Sequence, residues 1–169
     1  TGTWVLRGGA GSQQTDGFVL PGGATGDSTL DPGLLSEDGD LRLNTDVSRY
    51  DGFFSARFRS REGVWMSLSS SGFREERGVA PEAHVTDPRL WRYPNQTRFI
   101  SAFSAGTGQR GTPWGEGDLE ISVGLDFGET DIDQFGSSEY RDIVGGERAD
   151  DRTITLRLMG DHSLGESGE

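Results

Sequence analysis

Residues 53–61 read FFSARFRSR, and residues 64–70 read VWMSLSS after the turn residues Glu62 and Gly63. Side chains of an extended strand alternate between its two faces. Phe54, Ala56 and Phe58 therefore share one face, and Ser55, Arg57, Arg59 and Arg61 share the other. On the return segment Val64, Met66 and Leu68 alternate with Trp65, Ser67 and Ser69. Two such runs joined by a glycine-containing turn form an antiparallel hairpin.

The same period recurs on both sides of this hairpin. Residues 3–7 (TWVLR) read as a first strand, followed by a glycine-rich loop over residues 8–17. Residues 40–44 (DLRLN) and 98–105 (RFISAFSA) have strand character. Residues 119–127 (LEISVGLDF) alternate with Leu119, Ile121, Val123 and Leu125 expected inward. Residues 152–159 (RTITLRLM) do so with Ile154, Leu156 and Leu158 inward. Residues 21–33 (PGGATGDSTLDPG) read as a flexible loop or arm. Residues 72–97 hold no clear period and carry Pro81, Pro88 and Pro94; residues 87–93 suit one helical turn capped by Asp87. Residues 160–169 read as a frayed tail. The expectation is one all-β domain over residues 1–169, an antiparallel β-sandwich or jelly roll with long Gly-rich loops.

The chain has 169 residues, of which 27 are Gly, and no Cys. All 16 basic residues are Arg, and the net charge is −12. The missing Cys removes disulfide scaffolds and thiolate metal sites. An acidic chain with its Arg interleaved among Asp and Glu lacks the basic stripe that nucleic acid needs. The acidic excess suits either a strongly hydrated surface for high salt or ordinary solubility. No run of about 18 apolar residues occurs, so no membrane span is expected. Thr1 in place of Met reads as a processed start, and with it an extracytoplasmic location or a place in a surface or virion-type assembly.

Four groups of residues carry candidate chemistry. Asp131, Asp133, Gly136 and Asp142 fall at positions 1, 3, 6 and 12 of a segment that resembles an EF-hand-type calcium loop, with Phe135 where an oxygen ligand belongs. Glu116, Asp118 and Glu120 alternate at the start of a strand and would share a face, as paired carboxylates of a glycoside hydrolase must. Arg57, Arg59 and Arg61 form a row suited to anions or to acidic neighbours. Trp65 on the polar strand face, with Trp91, Tyr93 and Trp114 in loops, would make an aromatic surface for sugar rings or a protein partner. Asn95-Gln96-Thr97 fits a glycosylation sequon and calls for surface exposure. His84 and His162 are the only histidines, and no G-x-S-x-G elbow occurs.

Thr1-Gly2-Thr3-Trp4 resembles the G-x-W opening of the calycin barrels, which include lipocalins and avidins. The resemblance covers four residues of 169. It implies a closed barrel in place of the sandwich, with Arg157 packing over Trp4.

With no catalytic constellation complete, the function expected first is a non-catalytic structural or assembly domain, with protein partners or self-association. A carbohydrate- or ligand-binding module is the alternative, and a hydrolase the second alternative. Calcium is the one cofactor to test.

Overall fold

The structure, a computed structural model, describes residues 1–36 and 40–164, with the side chain of Thr25 left aside. The all-β expectation holds. Seven antiparallel strands dominate: β1 (Gly2–Thr15), β2 (Val47–Ser60), β3 (Trp65–Gly78), β4 (Trp91–Gly106), β5 (Arg110–Thr112), β6 (Gly115–Phe135) and β7 (Ile143–Leu164). They join in one sheet of order β1-β2-β3-β4-β6-β7, with short β5 paired to the start of β6. The sheet curls, in the barrel-like manner. A 3₁₀ turn (Ala24–Gly26) and a one-turn helix α1 (Pro32–Leu35) are the only helical pieces among the described residues.

The hairpin read from residues 53–70 is present. Phe58 stands opposite Met66 and Ala56 opposite Leu68, around a turn in which Ser60 and Val64 are hydrogen-bonded. Its strands run further than the alternation alone indicates. β1 continues through the glycine-rich residues 8–15, which the sequence reading assigned to a loop. The reason lies across the strand pair. Gly9 faces Phe53, and a Cβ at Gly9 would come within 2.7 Å of the Phe53 ring. The aromatic side chains of β2 occupy the room the glycines leave, so the glycines fit the ladder instead of breaking it.

Three further expectations change. Residues 87–90 are not helical, and Trp91 and Tyr93 lie in β4, not in loops. Pro94 falls at the register shift between Arg92 and Asn95, where a missing N–H costs no ladder bond. Residues 160–164, read as part of a frayed tail, belong to β7, and residues 165–169 lie outside the described residues.

Among the described residues the one buried hydrophobic cluster sits off the sheet. Leu34, Leu35 and Ala83 pack with Leu20, Leu30 and Leu90, where residues 16–46 meet residues 79–90. The 21–33 segment is thus ordered in part. Asp31 caps α1 by accepting from the Gly33 N–H at 2.9 Å, and its own N–H donates to the Ala83 carbonyl at 2.8 Å. Arg42 donates to the carbonyls of Leu34, Leu35 and Pro81, and stitches the two loops together. Both long loops, and the 136–142 turn, leave the same end of the sheet. The tight turn at residues 61–64 and the 107–114 connection leave the other.

Candidate functional surface

The register fixes which side chains share a face. Four successive rows cross the sheet: Trp4–Phe58–Met66–Ala105–Ile121–Leu158, Leu6–Ala56–Leu68–Phe103–Val123–Leu156, Gly8–Phe54–Ser70–Ser101–Leu125–Ile154 and Ala10–Gly52–Gly72–Phe99–Phe127–Arg152. Only Ser70, Ser101 and Arg152 are polar in this field. Ser70 and Ser101 are adjacent, and their hydroxyls bond each other at 2.8 Å. The next row toward the long loops, Ser12–Tyr50–Arg74–Thr97–Glu129–Asp150, contains no aliphatic residue.

The intervening positions form the opposite face and are mainly Ser, Thr, Gly and charged residues. Thr3, Arg59, Trp65, Gly106, Glu120 and Met159 make one row, and Val5, Arg57, Ser67, Ser104, Ser122 and Arg157 the next. Ser104 and Ser122 bond at 2.8 Å. Nearer the long loops Arg98 donates to both carboxylate oxygens of Asp126, at 3.0 and 2.7 Å. This pair holds the Asp126 carboxyl below its ordinary range through the Arg98 hydrogen bonds.

The apolar side of a water-soluble sheet lies over a core, and here the apolar side is open. On β6 the apolar Leu119, Ile121 and Phe127 are exposed and Val123 and Leu125 half-buried, as are Glu120, Ser122, Gly124 and Asp126 of the other face. Ile154, Leu156 and Leu158 on β7 are 72%, 71% and 67% exposed. These residues were expected to point into a core. Among the described residues nothing covers them. Arg57, Arg59, Thr155 and Arg157 of the polar face are exposed as well, so both faces of the sheet are open.

The residues singled out from sequence are dispersed. Arg57 and Arg59 do share the polar face, as expected, but Arg61 leaves the strand into the turn. Trp65 is on that face too; its ring lies over Gly106, and the Arg57 guanidinium is 5.9 Å from its centroid. Trp91 and Tyr93 open β4, whereas Gly106 opposite Trp65 closes it. About 50 Å of strand separates the two ends at roughly 3.3 Å per residue. Trp114 is 74% exposed in the connection beside β5. Hence the four aromatics do not form one groove. Tyr93 instead lies under Arg77, 4.7 Å from its centroid, and Trp91 under Arg89 at 5.4 Å.

Asp131 and Asp133 lie within β6, extended, and not in a loop that could wrap a cation. Asp131 meets Arg148 at 3.6 Å, and Arg148 also pairs with Glu129. Asp142 follows in the 136–142 turn, where its carbonyl accepts from the Gly136 N–H at 3.1 Å. No group of three or more His, Asp or Glu that could hold a metal occurs among the described residues. Glu116, Asp118 and Glu120 do share the polar face; Asp118 stands opposite Asp161, and Glu120 accepts from the Ser122 hydroxyl at 3.2 Å. His162, on the other face, meets the Thr112 hydroxyl at 2.9 Å. Asn95 of the sequon lies in β4, hydrogen-bonded by Thr97 at 3.0 Å. Arg157 lies on the face opposite Trp4, which is paired instead with Phe58 at a 5.0 Å centroid distance.

What sequence reasoning missed is that the apolar face is open, not packed over a core. Its signal was available: the alternate positions are small and hydroxylated (Ser67, Ser69, Ser104, Ser122, Thr153, Thr155). No helix of the described residues is long and apolar enough to cross a membrane. Comparison with protein-family models, curated proteins and solved structures returns no match.

Proposed function

We propose that this chain is a structural, non-catalytic wall element of a larger β assembly, completed from outside its own sheet. The observation that supports this reading is the exposed apolar face, bordered by two long strands with an unpaired side. β1 and β7 each have one neighbour among the described residues. A long exposed edge is a row of unmatched N–H and C=O groups and invites another strand. An apolar field of this extent marks an interaction surface in a native protein. A surface or extracytoplasmic location agrees with such a wall.

Hydrogen exchange on the full-length chain tests the reading. In an isolated sheet, alternate amides of β1 and β7 point to solvent and exchange within the dead time. In the completed assembly every amide of both strands is protected. Free exchange of alternate edge amides at high protein concentration, with a monomeric mass, would refute the wall.

A further inference from the structure

We infer that the apolar face is covered by the hydrocarbon of a lipid bilayer, and that the polar face lines a water-filled lumen: the chain forms part of a membrane-spanning β-barrel. This rests on the wall reading and names its partner. Four observations lead there.

The first is dimension. On β6 the apolar row runs from Leu119 to Phe127, nine residues counted inclusively. A tilted transmembrane strand uses about nine to eleven. On β7 the band is bounded by Arg152 and His162, which lie on the same face. Next comes the segregation of the faces. Closing the curled sheet into a barrel sets all four apolar rows on one side of the wall and the polar rows on the other. Such a cover must reach round the whole wall, and lipid does so without a complementary shape. A protein partner would need polar groups to fix its register, and the field offers almost none.

Third, the few polar groups in the field obey the rule for hydrocarbon, where an unmatched donor is expensive. Ser70 and Ser101 satisfy each other. Arg152 sits in the row at the margin, where a long side chain can carry its charge to water. Tyr50 marks that margin, and the Trp4–Phe58 pair lies toward the opposite one. Aromatic residues at both interfaces are what a bilayer selects. The fourth observation is end asymmetry. The tight 61–64 turn leaves one end and the 16–46 and 79–90 loops the other, as short turns and long loops do in membrane barrels.

The absence of native Cys makes the test direct. Single-Cys variants at each of positions 119–127 of the full-length chain are spin-labelled and mixed with phosphatidylcholine vesicles. The expected result is a period of two. Labels at 119, 121, 123, 125 and 127 collide with oxygen dissolved in lipid, and labels at 120, 122, 124 and 126 with a water-soluble nickel chelate. Ile121→Arg lowers the vesicle-bound fraction by at least about tenfold, while Ser122→Arg leaves it within about twofold. Odd positions open to the chelate, or shielded from both reagents by a second copy or another protein, would overturn the bilayer. So would failure to bind vesicles. If β1 and β7 stay fully protected in those cases, the wall reading survives without the membrane; if their alternate amides exchange freely, both fall.

Discussion

Asn44 shows how much of the loop region hangs on single side chains. Its φ is 54°, in the left-handed region that Asn tolerates better than most residues. Its amide donates to the carbonyls of Val79 and Trp91, each at 2.8 Å, and its oxygen accepts from Arg92 at 2.7 Å. Gly78 has no room for more: a Cβ there would lie 2.3 Å from the Asn44 side-chain oxygen. Asn44→Ala should therefore destabilise the loop cluster by about 3 kcal/mol, from the lost hydrogen bonds to the Val79 and Trp91 carbonyls and a strained φ. Asn44→Gly should recover only the backbone part. Urea titration followed by Trp fluorescence measures both; equal costs for the two variants would show that the hydrogen bonds contribute nothing.

The neighbouring Asp46 gives this region an acid limit. Arg92 donates to its two oxygens at 2.8 and 2.6 Å and holds its carboxyl below the usual 3.8. A group whose folded pKa is depressed contributes stability above its unfolded value, and loses it as pH falls through the folded one. The cluster should keep its stability down to about pH 4 and loosen below that. Asp46→Asn should flatten this dependence. An acid transition of unchanged shape in the variant would place its cause elsewhere.

At the scale of the strands, the sequence was most legible where alternation is strict. Residues 53–70, 119–127 and 152–159 show their faces without help. It was least legible where glycine or proline interrupts the period. Gly8, Gly9 and Gly11 lower intrinsic strand preference, and nothing local to them tells that Phe53 and Phe54 will lie across the pair. The same holds for Trp91 and Tyr93, whose strand is set by pairing with β6 at Trp91 and with β3 at Tyr93 and carries Pro94 at a register shift against β6. A cross-strand steric fit can be tested by a double change. Gly9→Val should cost about 2 kcal/mol, as overpacking does, because Phe53 has to move. Adding Phe53→Ala should remove most of that cost, so the two changes couple strongly in thermal melts. Independent effects would mean that Gly9 is required for its backbone alone.

For the molecule as a whole, alternation identifies two faces but not which one meets water. That sign is set by closure and surroundings, and a short window of sequence contains neither. It is why Leu156 and Leu158 read as core and emerge exposed, and why the aromatics chosen for a groove lie at opposite ends of β4. It also makes the response to salt diagnostic. If the apolar field drives association, the mass in detergent-free buffer should rise with protein concentration and rise further with sulfate, which strengthens apolar burial. It should persist in about 1 M sodium chloride, where the Debye length shrinks to roughly 3 Å and exposed ion pairs are screened. Leu156→Ser with Leu158→Ser should weaken association by at least about tenfold, since each change removes more than 1 kcal/mol of apolar burial. Thr155→Ser with Arg157→Gln, on the other face of the same strand, should leave it nearly unchanged. Light scattering distinguishes the outcomes. A mass that falls as chloride is added would place the contacts on the Arg57–Arg59 row and the acidic face of β6, and the apolar rows would then need another explanation than assembly.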